Sequence, residues 1–469
     1  MKGKEIGASG LSAAVFWVML NAVPAVAQIE RVSVALDGTQ ANHNSYEAAL
    51  SDDGTVIAYR SSADNLLAGD DNGLPDIYVR DYGAGTLEWA NVDPEDGTVI
   101  SYGFYRNAYF PSVSDDGNRI SFNRYPGLAE MAVRDRLANT TTNLLGPGGA
   151  WEREEPQLSG NGQYLVFHNP ENFQGSLPDT VRPINDDANG AFDVFFYDIT
   201  SNDTVPLERV SRPDFSADPS CSTATPPDCP EGNGDSMSAS VSDDGARVAF
   251  FSWATDLVPD DTNGVEDVFV KSRFDEQGTP LGIAGPIVRA SVASDGTQAD
   301  GDSYDPVLSG NGEFVVFRSL ATNLVDNDTN GVWDIFVHEI DTGVTERVSV
   351  ASDGTQADRG SFSAQISDDG RFVVFRSNAT NLVPDDGNER FDIFIRDRQA
   401  IQTVRVSVPD GGGEADNHSY LPAISGDGTC IVFESDATNL VDDDTNRARD
   451  IFLIPNPLAG SACLAGEGS

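Results

Sequence analysis

A four-residue turn, SDDG or its variants SGNG and SGDG, begins at Ser51, Ser114, Ser159, Ser242, Ser309, Ser367 and Ser425. One signal repeated seven times along nearly the whole chain means that a single structural unit is being reused, so the unit must be read before any one segment. The last three copies are evenly spaced. Earlier spacings vary because residues 168–185 and 212–235 are insertions and the second unit is trimmed.

The fifth unit shows the grammar in full: YDPVLSG, a turn at Asn311 and Gly312, EFVVFRS, an acidic loop, DIFVHEI, a turn at Asp341 to Gly343, and VTERVSV. These read as four short strands, rich in Val, Phe and Ile and separated by Asn, Asp and Gly turns. The second strand is apolar at consecutive positions from Phe314 to Phe317, the pattern of a strand covered on both faces. Small sheets packed radially supply that cover. The acidic loop and the Asp-led strand after it, NLVDNDTNGVWDIFVHE from Asn323, have relatives beginning at Asp70, Asp186, Asp260, Asp385 and Asp442.

The ends of the chain bear on how the units close. RVSV or a variant follows the third strand at Arg209, Arg289, Arg347 and Arg405, and RVSV also stands at Arg31, ahead of any complete unit. The last unit stops after DIFLI at Ile454 without a fourth strand of its own. Residues 29–34 are therefore expected to supply it and to remove the sheet edge that an open arc would leave. The expectation is an all-β, seven-bladed β-propeller of four-stranded blades, with 1–27 as a signal peptide, 28–455 as one domain and 456–469 as a tail. The second unit, which has no acidic loop, is where a miscounted blade would fall.

Charge and cysteines bound the setting. Lys2 and Lys4, an apolar run over 11–23 and Ala25-Val26-Ala27 have the layout of a cleaved secretory signal, which places the mature chain in the periplasm or outside the cell. No later segment is apolar for long enough to span a bilayer. Seventy-five acidic residues against 29 basic ones give a formal charge of −46, which repels nucleic acid and other polyanions. Cys221 with Cys229 and Cys430 with Cys463 are the natural disulfide pairs by position, although four cysteines allow three connectivities. A monomer is expected.

The turns SDDGRFVVFRS and SGNGEFVVFRS, the DTNG loop and the DIFVRD-type strands followed by RVSV resemble the TolB-type, WD-repeat-like propeller repeats of secreted bacterial proteins. The resemblance spans residues 29–455 and implies the fold. It implies no particular function, because this fold hosts binding scaffolds and enzymes alike. TolB carries a separate domain ahead of its propeller, whereas this chain starts its first blade strand almost at the cleavage site.

Three groups of residues are candidates for function. The loop DNDTNGVWD presents oxygens at Asp326, Asp328, Asn330 and Asp334, and the last copy presents them at Asp442, Asp444, Asn446 and Asp450. This spacing suits calcium, a hard cation that needs several oxygens, and equally suits Asx turns that fasten the loop with no metal. Aromatic residues begin the first strands at Tyr46, Tyr109, Tyr304, Phe362 and Tyr420, with Met237 in the same place. Innermost strands line the channel, so these side chains either ring its mouth for stacking on a ligand or pack between blades. Arg60, Arg318 and Arg376 end second strands and are expected to pair with local Asp residues.

The four histidines, at 43, 168, 338 and 418, occupy unrelated positions in four units, and no Gly-x-Ser-x-Gly elbow occurs. The leading expectation is a non-enzymatic module that binds a protein, peptide or glycan through the face gathering the acidic loops, with calcium ordering some of them. The alternative is a glycan-active hydrolase or lyase using carboxylates at the channel mouth.

Overall fold

A computed structural model of the chain describes residues 28–92, 107–125, 130–144, 155–169, 189–201, 207–213, 231–274 and 285–464. The signal-peptide expectation, the Cys221 and Cys229 pair and most of both large insertions lie outside these residues. The described chain forms seven antiparallel sheets of four strands each. Blade 5 is typical, with Ser303–Leu308 innermost, then Phe314–Ser319, Asp334–Glu339 and Val344–Arg347. The trimmed second unit is a complete blade too, from Asn107–Val113 to Thr140–Asn143.

Blade 7 closes the ring as the termini require. Its strands Ser419–Ile424, Cys430–Ser435 and Asp450–Pro455 are completed by Glu30–Arg31, with Glu30 opposite Leu453 and Arg31 opposite Phe452. The Val32 amide extends the pairing by donating to the Ile451 carbonyl at 2.8 Å. Cys430 and Cys463 form a disulfide that ties the tail to this blade.

The core sits between neighbouring sheets, which is why the second and third strands are apolar on both faces. In blade 5 the third strand contributes Ile335, Phe336 and Val337, all fully buried, and the second contributes Val315, Val316 and Phe317. Facing aromatic pairs stack across these two strands in six blades: Tyr59 on Tyr78, Phe167 on Phe195, Phe250 on Phe269, Phe317 on Phe336, Phe375 on Phe394 and Phe433 on Phe452. Each is a directly opposed cross-strand pair, an arrangement that contributes roughly 0.2–1 kcal/mol to a sheet. In blade 2, Phe122 faces Ala132 instead.

The SDDG-type turns set the spacing between blades. Gly370 has φ +71°, a left-handed conformation that favours glycine, and a Cβ there would collide with Phe314 of blade 5. The turn glycine therefore serves both the local bend and the close approach of the next sheet. All such turns leave one face of the ring. The loops between second and third strands, and those leading to the next blade, leave the other.

Candidate functional site at the two mouths of the channel

On the turn face, the seven turns join one another through backbone hydrogen bonds that run around the axis and close. Asp52 donates to Asp115 (3.1 Å), Asp115 to Gly160 (2.8 Å), Asn161 to Asp243 (3.0 Å), Asp243 to Gly310 (3.0 Å), Asn311 to Asp368 (3.1 Å), Asp368 to Gly426 (2.9 Å) and Asp427 to Asp52 (3.1 Å). Four carboxyl groups, those of Asp52, Asp115, Asp243 and Asp368, share the space above the glycines of the other three turns, where any Cβ would collide with them.

No basic side chain pairs with these four acids among the described residues. Burial, reinforced by their mutual repulsion, pushes Asp115 up to about 6, Asp243 up to about 7 and Asp368 up to about 8, and Asp52 is raised as well. No single turn reveals this iris. Each SDDG reads locally as a turn, and only closure of the ring brings the first Asp of four turns together.

The loop face is built differently. Asp328 and Asp334 both hold the guanidinium of Arg347, at 2.8 and 3.3 Å. Ser349 Oγ donates to Asp334 Oδ1 at 2.5 Å, and Asn330 Nδ2 donates to Asp334 Oδ2 at 2.7 Å and to the Ala357 carbonyl at 3.0 Å. The place where the loop spacing suits a cation is thus occupied by the arginine of RVSV, with the serine of the same motif completing the seat.

The last copy repeats the arrangement: Asp444 and Asp450 hold Arg31 at 3.2 and 3.3 Å, and Ser33 donates to Asp450. Arg289 and Arg405 sit in equivalent seats on Asp261 with Asp267, and on Asp386 with Asp392. Asp326 and Asp442 stand exposed at their loop tips, away from the seats. As arranged, this donor set fits a guanidinium. A calcium ion at Asp326, Asp328, Asn330 and Asp334, or at the last copy, would need the arginine to withdraw.

The two classes of acidic loop also bind each other. Gln356 of DGTQA accepts from the Thr329 amide and from Arg347, and Gln40 does the same for Thr445 of the last loop. Asp300, Asp358 and Asp416 each hold the amide and hydroxyl of a threonine in the following blade, namely Thr322, Thr380 and Thr438.

Inside this rim, at the channel mouth, aromatic rings and guanidinium groups alternate. Starting in blade 2, Tyr109 faces Arg60 (4.7 Å), Arg60 faces Tyr46 (4.6 Å), Tyr46 faces Arg449 (5.5 Å) and Arg449 faces Tyr420 (4.1 Å). Arg376 follows, 5.6 Å from both Tyr420 and Phe362, and then Arg318, 5.9 Å from Phe362 and 5.3 Å from Tyr304. All five predicted aromatic residues belong to this one belt, and each remains partly exposed. Met237 and Tyr304 also pack against the core between blades 4 and 5 while staying partly open.

Sequence reasoning missed Trp333, Phe391 and Arg449. Trp333 stacks on Arg318 at 4.8 Å and Phe391 on Arg376 at 4.7 Å, and all three residues directly precede the Asp that opens a third strand. The signal was available, since that position is bulky or charged at Phe192, Glu266, Trp333, Phe391 and Arg449.

The innermost strands are bulged at the mouth, and the residue after each aromatic, or after Met237 in blade 4, is left-handed: Glu47, Phe110, Ser238, Asp305, Ser363 and Leu421 have φ between 38° and 53°. Non-glycine residues adopt this conformation at a cost of about 1–3 kcal/mol each, and such strain tends to gather at functional positions. Where the bulged residue is acidic, it pairs with the strand-end arginine: Glu47 with Arg60 at 3.1 Å and Asp305 with Arg318 at 2.8 Å. Of the three arginines expected to pair with a local Asp, only Arg318 does so; Arg60 takes a glutamate and Arg376 no acid among the described residues. Its bulge position holds Ser363, and no carboxylate lies within ion-pair distance among the described residues.

A carboxyl pair also lies at this mouth. Asp302 is pushed up to about 6, chiefly by its hydrogen bond with Glu266, while Glu266 is held low. The histidines do not converge. His338 is buried and bonded to Thr345 at 2.8 Å, His43 is exposed in blade 1, and His418 packs between Phe391 and Tyr420.

No helix among the described residues is long and apolar enough to cross a membrane. No protein-family model matches the chain, nor does the sequence of any curated protein. Solved structures do share its shape. An oligogalacturonate lyase from Vibrio parahaemolyticus superposes with a TM-score of 0.52 at 12% identity, covering 93% of this chain and 98% of that one. An oligogalacturonate lyase in complex with manganese gives 0.51 at 12% identity, over 92% and 94%. TolB from Acinetobacter baumannii gives 0.41 at 13% identity, over 79% and 67%, too low a score to carry an argument. At these identities the likeness establishes the propeller and leaves the activity open.

Proposed function

We propose that this chain is a non-enzymatic binding module, acting in the periplasm or outside the cell, that takes a protein, peptide or glycan ligand at the loop-face mouth of its channel. The observation supporting this is the belt, in which Tyr46, Tyr109, Tyr304, Phe362 and Tyr420 alternate with arginines on a rigid ring. Partly exposed rings offer flat apolar faces to a sugar or side chain, and the scaffold already holds them, so little ordering cost falls on binding. The acidic loops form the rim of this site and are fastened to one another.

The test is binding to peptide and glycan arrays. Phe362→Ala with Tyr420→Ala should abolish the wild-type hits, and Asp295→Asn with Asp353→Asn at the rim should keep them. Hits unchanged by the aromatic pair would sink the placement.

The enzymatic alternative rests on Glu266 and Asp302. Their direct hydrogen bond is shorter than the separation of about 5 Å or more that flanking carboxylates need around a glycosidic bond. Turnover of any glycan, lost in Glu266→Gln, would nevertheless favour it.

Calcium ordering of the loops at Asp326 to Asp334 or Asp442 to Asp450 is a separate proposal with its own test. A bound ion should raise the melting temperature over that in chelator by mass action. Equal melting in both leaves the arginine as the cation of the loop.

A further inference from the structure

Arg376 breaks a rule that the same belt obeys elsewhere. Arg60 and Arg318 stand at the ends of second strands, opposite Tyr46 and Tyr304, and each is neutralised by the acid at the adjoining bulge. Arg449 has two partners, Glu434 at 3.2 Å and Asp436 at 2.8 Å. Arg376 stands in the same register, opposite Phe362, but the bulge beside it is Ser363, whose side chain carries no charge. Its guanidinium is held by rings alone, Phe391 at 4.7 Å and Phe362 and Tyr420 at 5.6 Å, and its Nε is buried with no hydrogen-bond partner.

The remaining groups around it do not supply the missing charge. Glu434 is buried on Arg449 and accepts the Glu47 amide at 2.5 Å, and the Arg318 and Arg449 guanidinia add repulsion. His418 accepts the Phe391 amide at 2.9 Å. In a chain with a formal charge of −46, a guanidinium left without a counter-ion in an aromatic cage is a specific feature.

We propose that Arg376 is the receptor for a single carboxylate of the ligand, which sits where Glu47 and Asp305 sit in the sister blades, with its apolar body against Phe362, Phe391 and Tyr420. This rests on the mouth being the binding site. One charge is specified rather than several, because the other belt arginines are already neutralised and the rim repels polyanions. A peptide C-terminus and a terminal uronic acid both present this chemistry.

Paired probes separate the sources: N-acetylphenylalanine against its amide, and methyl glucuronide against methyl glucoside, each titrated into the full chain by NMR. One acid should bind at least about tenfold more tightly than its neutral twin, as a charge-assisted contact requires. Arg376→Gln should erase that preference. Ser363→Asp, which installs the internal counter-ion of the sister blades, should erase it while raising the melting temperature.

Equal binding of acid and neutral twins, a preference that survives Arg376→Gln, or no binding of either acid at millimolar concentration overturns the inference. If both twins bind equally and Tyr420→Ala abolishes both, the mouth remains the site and only the carboxylate assignment fails.

Discussion

The two mouths of this channel are made by the same repeated unit and solve opposite problems. At the turn face, four aspartates converge with no basic partner among the described residues, and burial with mutual repulsion favours their protonated forms. At the loop face, charges of both signs are interleaved with rings, and every belt arginine but Arg376 has a local acid. Circular symmetry gathers whatever side chain the unit places near the axis. A repeated acid becomes a like-charge cluster, whereas an aromatic in first strands and an arginine in second strands become a mixed belt. The turn-face mouth therefore holds the carboxyls raised furthest, and the loop-face mouth is the one we propose to recognise a ligand.

The largest effects are expected at the arginine seats under the loop face. Arg347→Ala strands Asp328 and Asp334, both nearly fully buried, and should cost about 3–5 kcal/mol in denaturant unfolding. A loss below about 1 kcal/mol would mean that the seat is not what anchors the loop. Gly370→Ala comes next, at about 2–4 kcal/mol, since it adds a left-handed alanine and a clash with Phe314.

At the turn face the sign depends on pH. Asp243 and Asp368 bind protons more tightly folded than unfolded, with folded values of about 7 and 8 against 3.8. Their contribution is therefore fully present below about pH 4 and is lost as pH rises through 7 to 8. Asp368→Asn should stabilise the fold by about 2 kcal/mol at pH 9, after allowance for partial solvent screening, and by almost nothing at pH 4. A melting curve with the same pH slope in both proteins would contradict the iris.

The smallest effects distinguish one belt arginine from another. Arg60→Gln leaves Glu47 without its partner and should cost about 1 kcal/mol. Arg376→Gln strands no acid and should change stability by less than about 0.5 kcal/mol.

Most of the fold was legible because each level of the sequence agreed with the next. Seven turns, the doubly buried second strands and the RVSV at Arg31 all specified the same closed ring. The aromatic positions were legible for the same reason, as they recur at the start of the first strands. What stayed hidden depended on contacts between units or between distant parts of one unit.

The loop at Asp326 to Asp334 carries a cation-like spacing, but the guanidinium it holds comes from Arg347, beyond the intervening strand. The clue was that units with the acidic loop mostly carry RVSV or a variant, while the second unit, at Thr140 to Leu144, lacks both. The iris had only half a clue: four turns carry Asp where the other three carry Gly, but nothing within a turn says that the seven meet at the axis.

We place recognition at the loop-face mouth. This placement is tested most directly by measuring the affinity of one array-identified ligand for two double variants, Phe362→Ala with Tyr420→Ala and Asp243→Asn with Asp368→Asn. The account predicts at least a hundredfold loss, about 3 kcal/mol, in the first and no change in the second. Loss confined to the aspartate variant would move the site to the opposite end of the channel.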